Sequence, residues 1–272
     1  MRHRITALIA ALALSIAAVM PASAIVYGQP TGNAYSNVGA LVDEFTVEGV
    51  PTKFSVCTGT LIDDGDGDAT SKLFLTAAHC IFTNDVWVSF QAVVPTDPIT
   101  FAVLPSAELI PGTPHPHENF ACCGANDTFD IAIVELAWAP TVVPAPVVGP
   151  NELGEMSSAE LRAAEFTAVG YGAVRTTKKQ AWQSLSDSLG VRSYATQTAL
   201  SLTKSWLTLS MNQATGDGGT CYGDSGGPHF LPDGSVASIT VTGDVFCKAT
   251  DKTYRLDSPV AQEFIGRFVV EG

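Results

Sequence analysis

Short apolar runs recur along the chain and alternate with residues that favour turns. The runs are rich in β-branched and aromatic side chains, which pack well on a pleated, half-buried surface. Glycines, prolines and small polar residues separate them, and such clusters interrupt regular structure. This pattern predicts β-strands over most of the chain, with examples at Val86–Val94, Phe101–Leu104, Ile131–Leu136, Phe166–Val169 and Ser235–Thr242.

Two segments have the apolar spacing of a helix instead. Residues 157–164 carry it weakly, and residues 259–270 carry it more clearly. In the second segment Ser258 can cap the helix, and Pro259 suits its first turn. One face of this predicted helix is apolar and consists of Val260, Ala261, Phe264, Ile265 and Phe268.

A proline-rich segment lies near the middle of the chain. Residues 139–150 read APTVVPAPVVGP and contain four prolines and one glycine. Because proline lacks a backbone N–H, this segment can form neither a helix nor an inner strand. We therefore interpret it as the connector between two β halves.

The first 24 residues have the features of a secretory signal peptide. A basic start at Arg2 and Arg4 precedes the apolar run Ile5–Met20, and small residues at 22–24 follow at a cleavage position. The alternative is an uncleaved membrane anchor, but the run is shorter than the roughly 20 residues that span a bilayer. We expect residues 1–24 to be removed and the protein to be secreted and extracellular.

Composition and charge narrow the possible function classes. The chain is 46% hydrophobic and 15% charged, which excludes a disordered protein. Its formal net charge is −13. A nucleic-acid partner is not expected, because phosphate recognition needs a basic surface.

Six cysteines are expected to form disulfides if the chain is exported. The residues alone do not fix how these cysteines pair. A zinc site is not predicted, since the cysteines form no Cys-x-x-Cys motif and lie at no ligand spacing from a histidine.

Three short segments, far apart in sequence, carry complementary chemistry. They are residues 76–80 (TAAHC), residues 129–133 (FDIAI) and residues 223–228 (GDSGGP). A serine hydroxyl becomes a good nucleophile when an imidazole removes its proton, and a carboxylate on the far imidazole nitrogen fixes the tautomer. Glycines around the serine let backbone N–H groups approach a developing oxyanion.

With these motifs in the order His79, Asp130, Ser225, the sequence resembles the chymotrypsin/trypsin-like serine endopeptidases, most closely the bacterial secreted members. The resemblance extends over residues 25–272. It implies an all-β fold of two packed six-stranded antiparallel β-barrels with a short C-terminal helix. The expected barrels span about residues 25–145 and about 150–258, followed by the helix at 259–270.

The resemblance also assigns roles to single residues. Ser225 is the expected nucleophile, His79 the general base and then acid, and Asp130 the group that orients His79. The backbone N–H groups of Gly223 and Ser225 are the expected oxyanion hole. The free amine of Ile25 is expected to pair with Asp224 and so to activate the enzyme.

Because residues 22–24 stand directly before Ile25, signal-peptide removal would itself create this activating terminus. The resemblance further implies that Cys57 pairs with Cys80 and Cys221 with Cys247. The neighbours Cys122 and Cys123 then either bond to each other or stay free.

A substrate pocket is expected at Gly219, Thr220 and Gly243. Trypsin-like members carry Asp where Gly219 stands, so an apolar or aromatic preference is predicted rather than a basic one. Lys252 falls at a position where a small residue often lines the pocket. It is interpreted as a solvated lysine, and the alternatives are that it attracts an acidic substrate side chain or pairs with an aspartate.

Another departure from the family pattern lies at Val241, where a serine often hydrogen-bonds the catalytic aspartate. Thr240 or Thr242 would replace that donor if the alignment shifts by one residue. Otherwise Asp130 has one donor fewer.

Two other features receive a structural interpretation. The acidic segment 63–68 has alternating aspartates but lacks the glycine and glutamate of a calcium loop, so a solvated turn is favoured over calcium binding. His115 and His117, on either side of Pro116, are interpreted as structural residues rather than metal ligands.

The sequence therefore predicts a secreted, monomeric serine endopeptidase that acts on protein or peptide substrates without a cofactor or metal, and without a membrane partner after signal cleavage. One alternative is a catalytically silent relative that serves as a binding or adhesion protein. Another is a peptidase restricted to one host or self protein.

Overall fold

Two rings of six antiparallel strands account for most of the regular structure. The computed structural model describes residues 25–121, 127–173, 190–245 and 247–270. The predicted signal peptide and the Cys122–Cys123 pair lie outside these residues.

The first ring closes in the strand order β2-β3-β4-β7-β6-β5. Buried apolar side chains of these strands form part of the hydrophobic core, among them Leu41, Leu61, Phe74, Leu75 and Ile133. The strands are β2 Val38–Val47, β3 Val50–Ile62, β4 Leu73–Thr76, β5 Val86–Ser89, β6 Ile110–Pro116 and β7 Ala132–Leu136.

The second ring follows the order β8-β9-β10-β13-β12-β11 and closes because β11 also pairs with β8. The short strand β1 Gln29–Pro30 adds to β9, so the start of the described chain belongs to this second sheet. The ring strands are β8 Glu165–Gly170, β9 Ser193–Leu202, β10 Trp206–Ser210, β11 Pro228–Phe230, β12 Val236–Gly243 and β13 Thr250–Arg255. The predicted all-β class with two six-stranded barrels is confirmed.

The described residues also contain three short α-helices: α1 Glu152–Glu155, α2 Ser158–Ala163 and α3 Pro259–Ile265. Ser157 caps α2 in a reciprocal capping box with Glu160. Ser258 caps α3 as expected. No helix within the described ranges is long and apolar enough to cross a bilayer.

A buried arginine lies where the two barrels meet. Arg192 is 2% exposed, and its guanidinium donates to the Val38 and Phe90 carbonyls at 3.1 and 3.0 Å. It also donates to the Tyr171 hydroxyl at 3.2 Å. Burial raises the pKa of Tyr171 to about 12, so this phenol stays protonated and donates to the Val38 carbonyl in turn. These hydrogen bonds join segments of both barrels.

Candidate active site

His79 and Asp130 are brought together by two neighbouring strands. His79 follows β4 on a single 3₁₀ turn, and Asp130 lies two residues before the start of β7. Because β4 and β7 are antiparallel, with Thr76 opposite Ala132, the end of one strand lies beside the start of the other. Residues 51 positions apart in sequence therefore meet at one edge of the first barrel.

Asp130 holds His79 by two hydrogen bonds, one to the backbone and one to the imidazole. The backbone N–H of His79 donates to one carboxylate oxygen at 2.9 Å, and the ring Nδ1 lies 2.7 Å from the other. The Asp130 side chain is 5% exposed, whereas the His79 side chain is 28% exposed. A proton on Nδ1 satisfies the carboxylate and leaves Nε2 as the basic nitrogen that can face a substrate.

The Ser225 loop is clamped from the first barrel. The Thr58 amide donates to the Ser225 carbonyl at 2.9 Å, and the Thr58 hydroxyl donates to the Gly223 carbonyl at 3.0 Å. Gly226 has a φ of +77°, and a Cβ at this position would overlap the Thr76 hydroxyl. Glycine is thus the residue that allows the loop to approach β4, the strand that leads to His79.

Two backbone amides of this loop remain available. Among the residues that the structure describes, the N–H groups of Gly223 and Ser225 donate to no acceptor. Unused amides two residues apart in one loop are the kind of donors that stabilise an oxyanion.

Ser225 and His79 line one cavity of about 400 Å³. Within the described residues, the Ser225 hydroxyl forms no hydrogen bond, so the Ser225–His79 bond of an assembled triad is not made in this structure. Catalytic hydrogen bonds of unliganded enzymes are often long and tighten only when substrate binds.

Two of the four predicted pocket residues line the cavity, and two do not. Thr220 and Gly243 line the cavity, but Gly219 and Lys252 are not among its lining residues. A Cβ at Gly219 would lie 2.5 Å from the Met211 side chain, so this glycine is covered. Lys252 places its ammonium 4.3 Å from the centre of the Trp206 ring.

Sequence analysis missed further cavity residues. Tyr222, Asp244 and Val245 also line the cavity, and no motif marked them. The Tyr222 hydroxyl donates to the Val245 carbonyl at 3.1 Å across the cavity. The Asp244 carboxylate accepts backbone N–H bonds from residues 248–250.

Asp224 is fully buried beside the Ser225 loop. Its two carboxylate oxygens accept the Gly172 amide at 2.8 Å and the Cys221 amide at 2.9 Å. Burial raises the pKa of this carboxyl well above its ordinary value, because a charged group loses its hydration there. No described side chain forms an ion pair with it.

The segment that begins at Ile25 is docked on the second barrel. Ile25 and Val26 are fully buried, and Ile25 packs with Ala168 and Ala195. The Val26 amide and carbonyl form both hydrogen bonds of a bridge to Gly219, at 2.8 and 3.0 Å.

The donor expected beside Asp130 is not supplied by a neighbouring threonine. Val241 lines the cavity, and in the described residues neither Thr240 nor Thr242 donates to the Asp130 carboxylate. The buried Thr240 hydroxyl has no hydrogen-bond partner among the residues that the structure describes.

Disulfides and turns frame the site. Cys57 is bonded to Cys80 and Cys221 to Cys247, which confirms the two implied pairings.

In the acidic turn at residues 63–68, aspartate carboxylates accept amide N–H groups two residues onward, such as Gly65 to Asp63 at 2.9 Å. His117 stacks on Phe264 with ring centres 5.1 Å apart, in agreement with a structural role.

Comparisons with known proteins agree with this architecture. The solved structure of HL collagenase superposes with a TM-score of 0.63 over 89% of this chain and 97% of that chain, at 17% sequence identity, a likeness that concerns the fold alone. No curated protein matches the chain significantly. The family model described as Trypsin matches residues 44–264. The chain belongs to the trypsin family of serine peptidases.

Proposed function

We propose that this protein is a serine endopeptidase that hydrolyses peptide bonds through Ser225, His79 and Asp130. The observation that carries the proposal is the geometry of His79. Its Nδ1 is held 2.7 Å from Asp130, while the side chain faces the cavity that Ser225 also lines. A base fixed in one tautomer next to a serine is the arrangement that activates a hydroxyl.

The reaction proceeds in two halves. Ser225 Oγ attacks the substrate carbonyl carbon as His79 Nε2 takes the hydroxyl proton, and the free amides of Gly223 and Ser225 donate to the new oxyanion. The carbon–nitrogen bond then breaks, and His79 gives its proton to the departing amine. Water repeats the sequence on the acyl-enzyme and releases the acid, which regenerates Ser225 and neutral His79.

A fluorophosphonate probe tests the proposal without knowledge of the substrate. We expect covalent labelling of the secreted wild type at Ser225 and no labelling of the Ser225→Ala variant, because the probe reacts with an activated serine. Both proteins should have the same thermal unfolding midpoint. Folded wild type that begins at Ile25 and remains unlabelled would contradict the proposal and favour the binding or adhesion alternative.

Activation follows from removal of the signal peptide. The free amine of Ile25 supplies the cation that buried Asp224 otherwise lacks, and the pair orders the Gly223–Ser225 segment. Two observations support this proposal: the burial of Ile25 and Val26, with Val26 hydrogen-bonded to Gly219, and the raised pKa of Asp224. The protein acts outside the cell, where disulfides such as Cys57–Cys80 persist.

The cavity favours an apolar or aromatic substrate side chain. Thr220, Val241 and Gly243 on its wall are uncharged, and the Asp244 carboxylate is occupied by backbone amides. Lys252 lies against Trp206 rather than on the cavity wall, which removes the reason to expect an acidic preference.

A panel of peptides that differ only in the residue before the cut tests this preference. We expect kcat/KM to be highest for Phe, Tyr or Leu, by about tenfold or more over Lys and Glu, because an uncharged pocket does not compensate a buried charge. Fastest cleavage after Glu or Asp would contradict the prediction. The Lys252→Met variant is the control and should keep the wild-type ranking.

A further inference from the structure

The loop that carries Asp130 has a constrained backbone. Phe129, directly before Asp130, has a φ of +52°, a region that residues other than glycine seldom adopt. The Ile131 amide donates to the Phe129 carbonyl at 2.9 Å, which closes the bend. A conformation of this kind persists where surrounding contacts hold it.

The contacts that hold it converge on Asp127. One carboxylate oxygen accepts the Tyr254 hydroxyl at 2.9 Å and the Phe129 amide at 3.0 Å, and the other accepts the Ser205 hydroxyl at 2.8 Å. Tyr254 and Ser205 are both fully buried. They belong to the second barrel, whereas the loop leads into β7 of the first.

Strand pairing explains why the two hydroxyls meet. Trp206 on β10 lies opposite Tyr254 on β13, so Ser205, directly before Trp206, is close to Tyr254. Burial raises the pKa of Tyr254, and the charges of Asp127 and Asp130 raise it further. The phenol therefore stays protonated and donates.

Asp130 itself has no comparable link to the second barrel. Over the part of the chain that the structure describes, its carboxylate accepts only from the His79 amide and ring. Ser225 is carried by the second barrel, on the loop before β11. Among the described residues, a polar connection between the loop of Asp130 and the barrel of Ser225 runs through Asp127, three residues away.

We propose that Asp127 is a positioning residue for the peptidase reaction: by accepting the hydroxyls of Ser205 and Tyr254, it fixes the Asp130 loop of one barrel against the other. This proposal rests on the function proposed above. Asp127 acts through Asp130 and touches no reacting atom. Its loss displaces the carboxylate that orients His79, and displacements of this size reduce the rate of the chemical step.

Two substitutions at Asp127 separate the hydrogen bonds from the bulk of the side chain. Asp127→Ala removes every acceptor, and we expect kcat to fall about tenfold or more while KM stays within about twofold. Asp127→Asn keeps an oxygen for Tyr254 and Phe129, and its amide can donate to the Ser205 hydroxyl. We expect it to retain most of the wild-type kcat.

The measurement uses the best peptide of the panel, with active enzyme counted by fluorophosphonate titration. Asp97→Ala is the matched control. Asp97 accepts the Ile99 and Thr100 amides within its own exposed loop of the first barrel and has no partner among the described residues of the second, so its loss should leave kcat unchanged. Ser205→Ala and Tyr254→Phe each remove one donor and should give smaller losses of kcat.

The outcomes separate this proposal from the proposed function. If the probe does not label the wild type, both the proposed function and the positioning role are contradicted. If the wild type is active and Asp127→Ala has an unchanged kcat, only the positioning role is contradicted. An equal loss of kcat in Asp127→Ala and Asp127→Asn would also contradict only the positioning role. If Asp127→Ala does not fold, kcat of Ser205→Ala and Tyr254→Phe tests the proposal instead. A wild-type kcat in both of these variants would overturn it.

Discussion

A protein that keeps Ala24 before Ile25 is expected to react with a fluorophosphonate about a hundredfold or more slowly than the protein that begins at Ile25. An extra residue turns the amine into a neutral amide and moves the charge away from Asp224. An uncompensated buried charge costs about 3–5 kcal/mol, which corresponds to more than two powers of ten in a rate. Asp224 must then take a proton or leave its site, and it directly precedes Ser225 in the chain.

The comparison needs a control that removes the charge from the carboxylate. In Asp224→Asn the buried side chain is neutral, so the two N-terminal forms should react at the same reduced rate. N-terminal sequencing of the secreted wild type should read Ile-Val-Tyr-Gly. A mature chain that begins elsewhere, or equal labelling rates for the two wild-type forms, would contradict activation by signal-peptide removal.

Local patterns predicted strands and the C-terminal helix, whereas the two barrels were expected from the resemblance that the His79, Asp130 and Ser225 motifs carry. The strand predicted at Ile131–Leu136 corresponds to β7, and the helix predicted from residue 259 begins there as α3. The predicted strand Phe101–Leu104 forms only isolated bridges, since Ala102 and Val103 pair with different segments. A short apolar run does not by itself define its partner.

Features that depend on tertiary contact left no signal in the sequence. The position of Lys252 on the Trp206 ring follows from the register of two strands that are distant in sequence. The role of Asp127 depends on hydroxyls 78 and 127 positions away. The sequence alone gives no reason to expect a buried Arg192, because arginine is seldom fully buried.

Replacement of Arg192 by methionine is expected to reduce the free energy of unfolding by about 3–5 kcal/mol. Methionine matches the length of the side chain but donates no hydrogen bond. The Val38 carbonyl and the Thr31 hydroxyl, both buried, would lose a donor, and so would the less buried carbonyls of Phe90 and Gly32. The loss should lower the thermal midpoint by roughly 10 °C in a domain of this size.

Burial, rather than the number of contacts, is the reason for this large effect. Arg267 donates to Glu118 at 2.8 and 2.9 Å and to Glu263, but its side chain is 42% exposed. Surface ion pairs of this kind contribute little, so Arg267→Met should change stability by less than about 1 kcal/mol. The positive charge of Arg192 is compensated by neutral carbonyl and hydroxyl oxygens alone, since no described carboxylate pairs with it.

A double-mutant cycle of Arg192→Met and Tyr171→Phe tests whether the buried hydrogen bonds of these two side chains are energetically coupled. Tyr171→Phe removes the acceptor of Arg192 and the donor to Val38 and Gln91, and we expect a loss of about 1–3 kcal/mol. The double variant should lose less than the sum of the single losses, because the two side chains share partners. Thermal and denaturant unfolding measure all four proteins with disulfides intact. A loss in Arg192→Met no larger than that in Arg267→Met would mean that the barrels are held together by apolar packing and strand contacts alone.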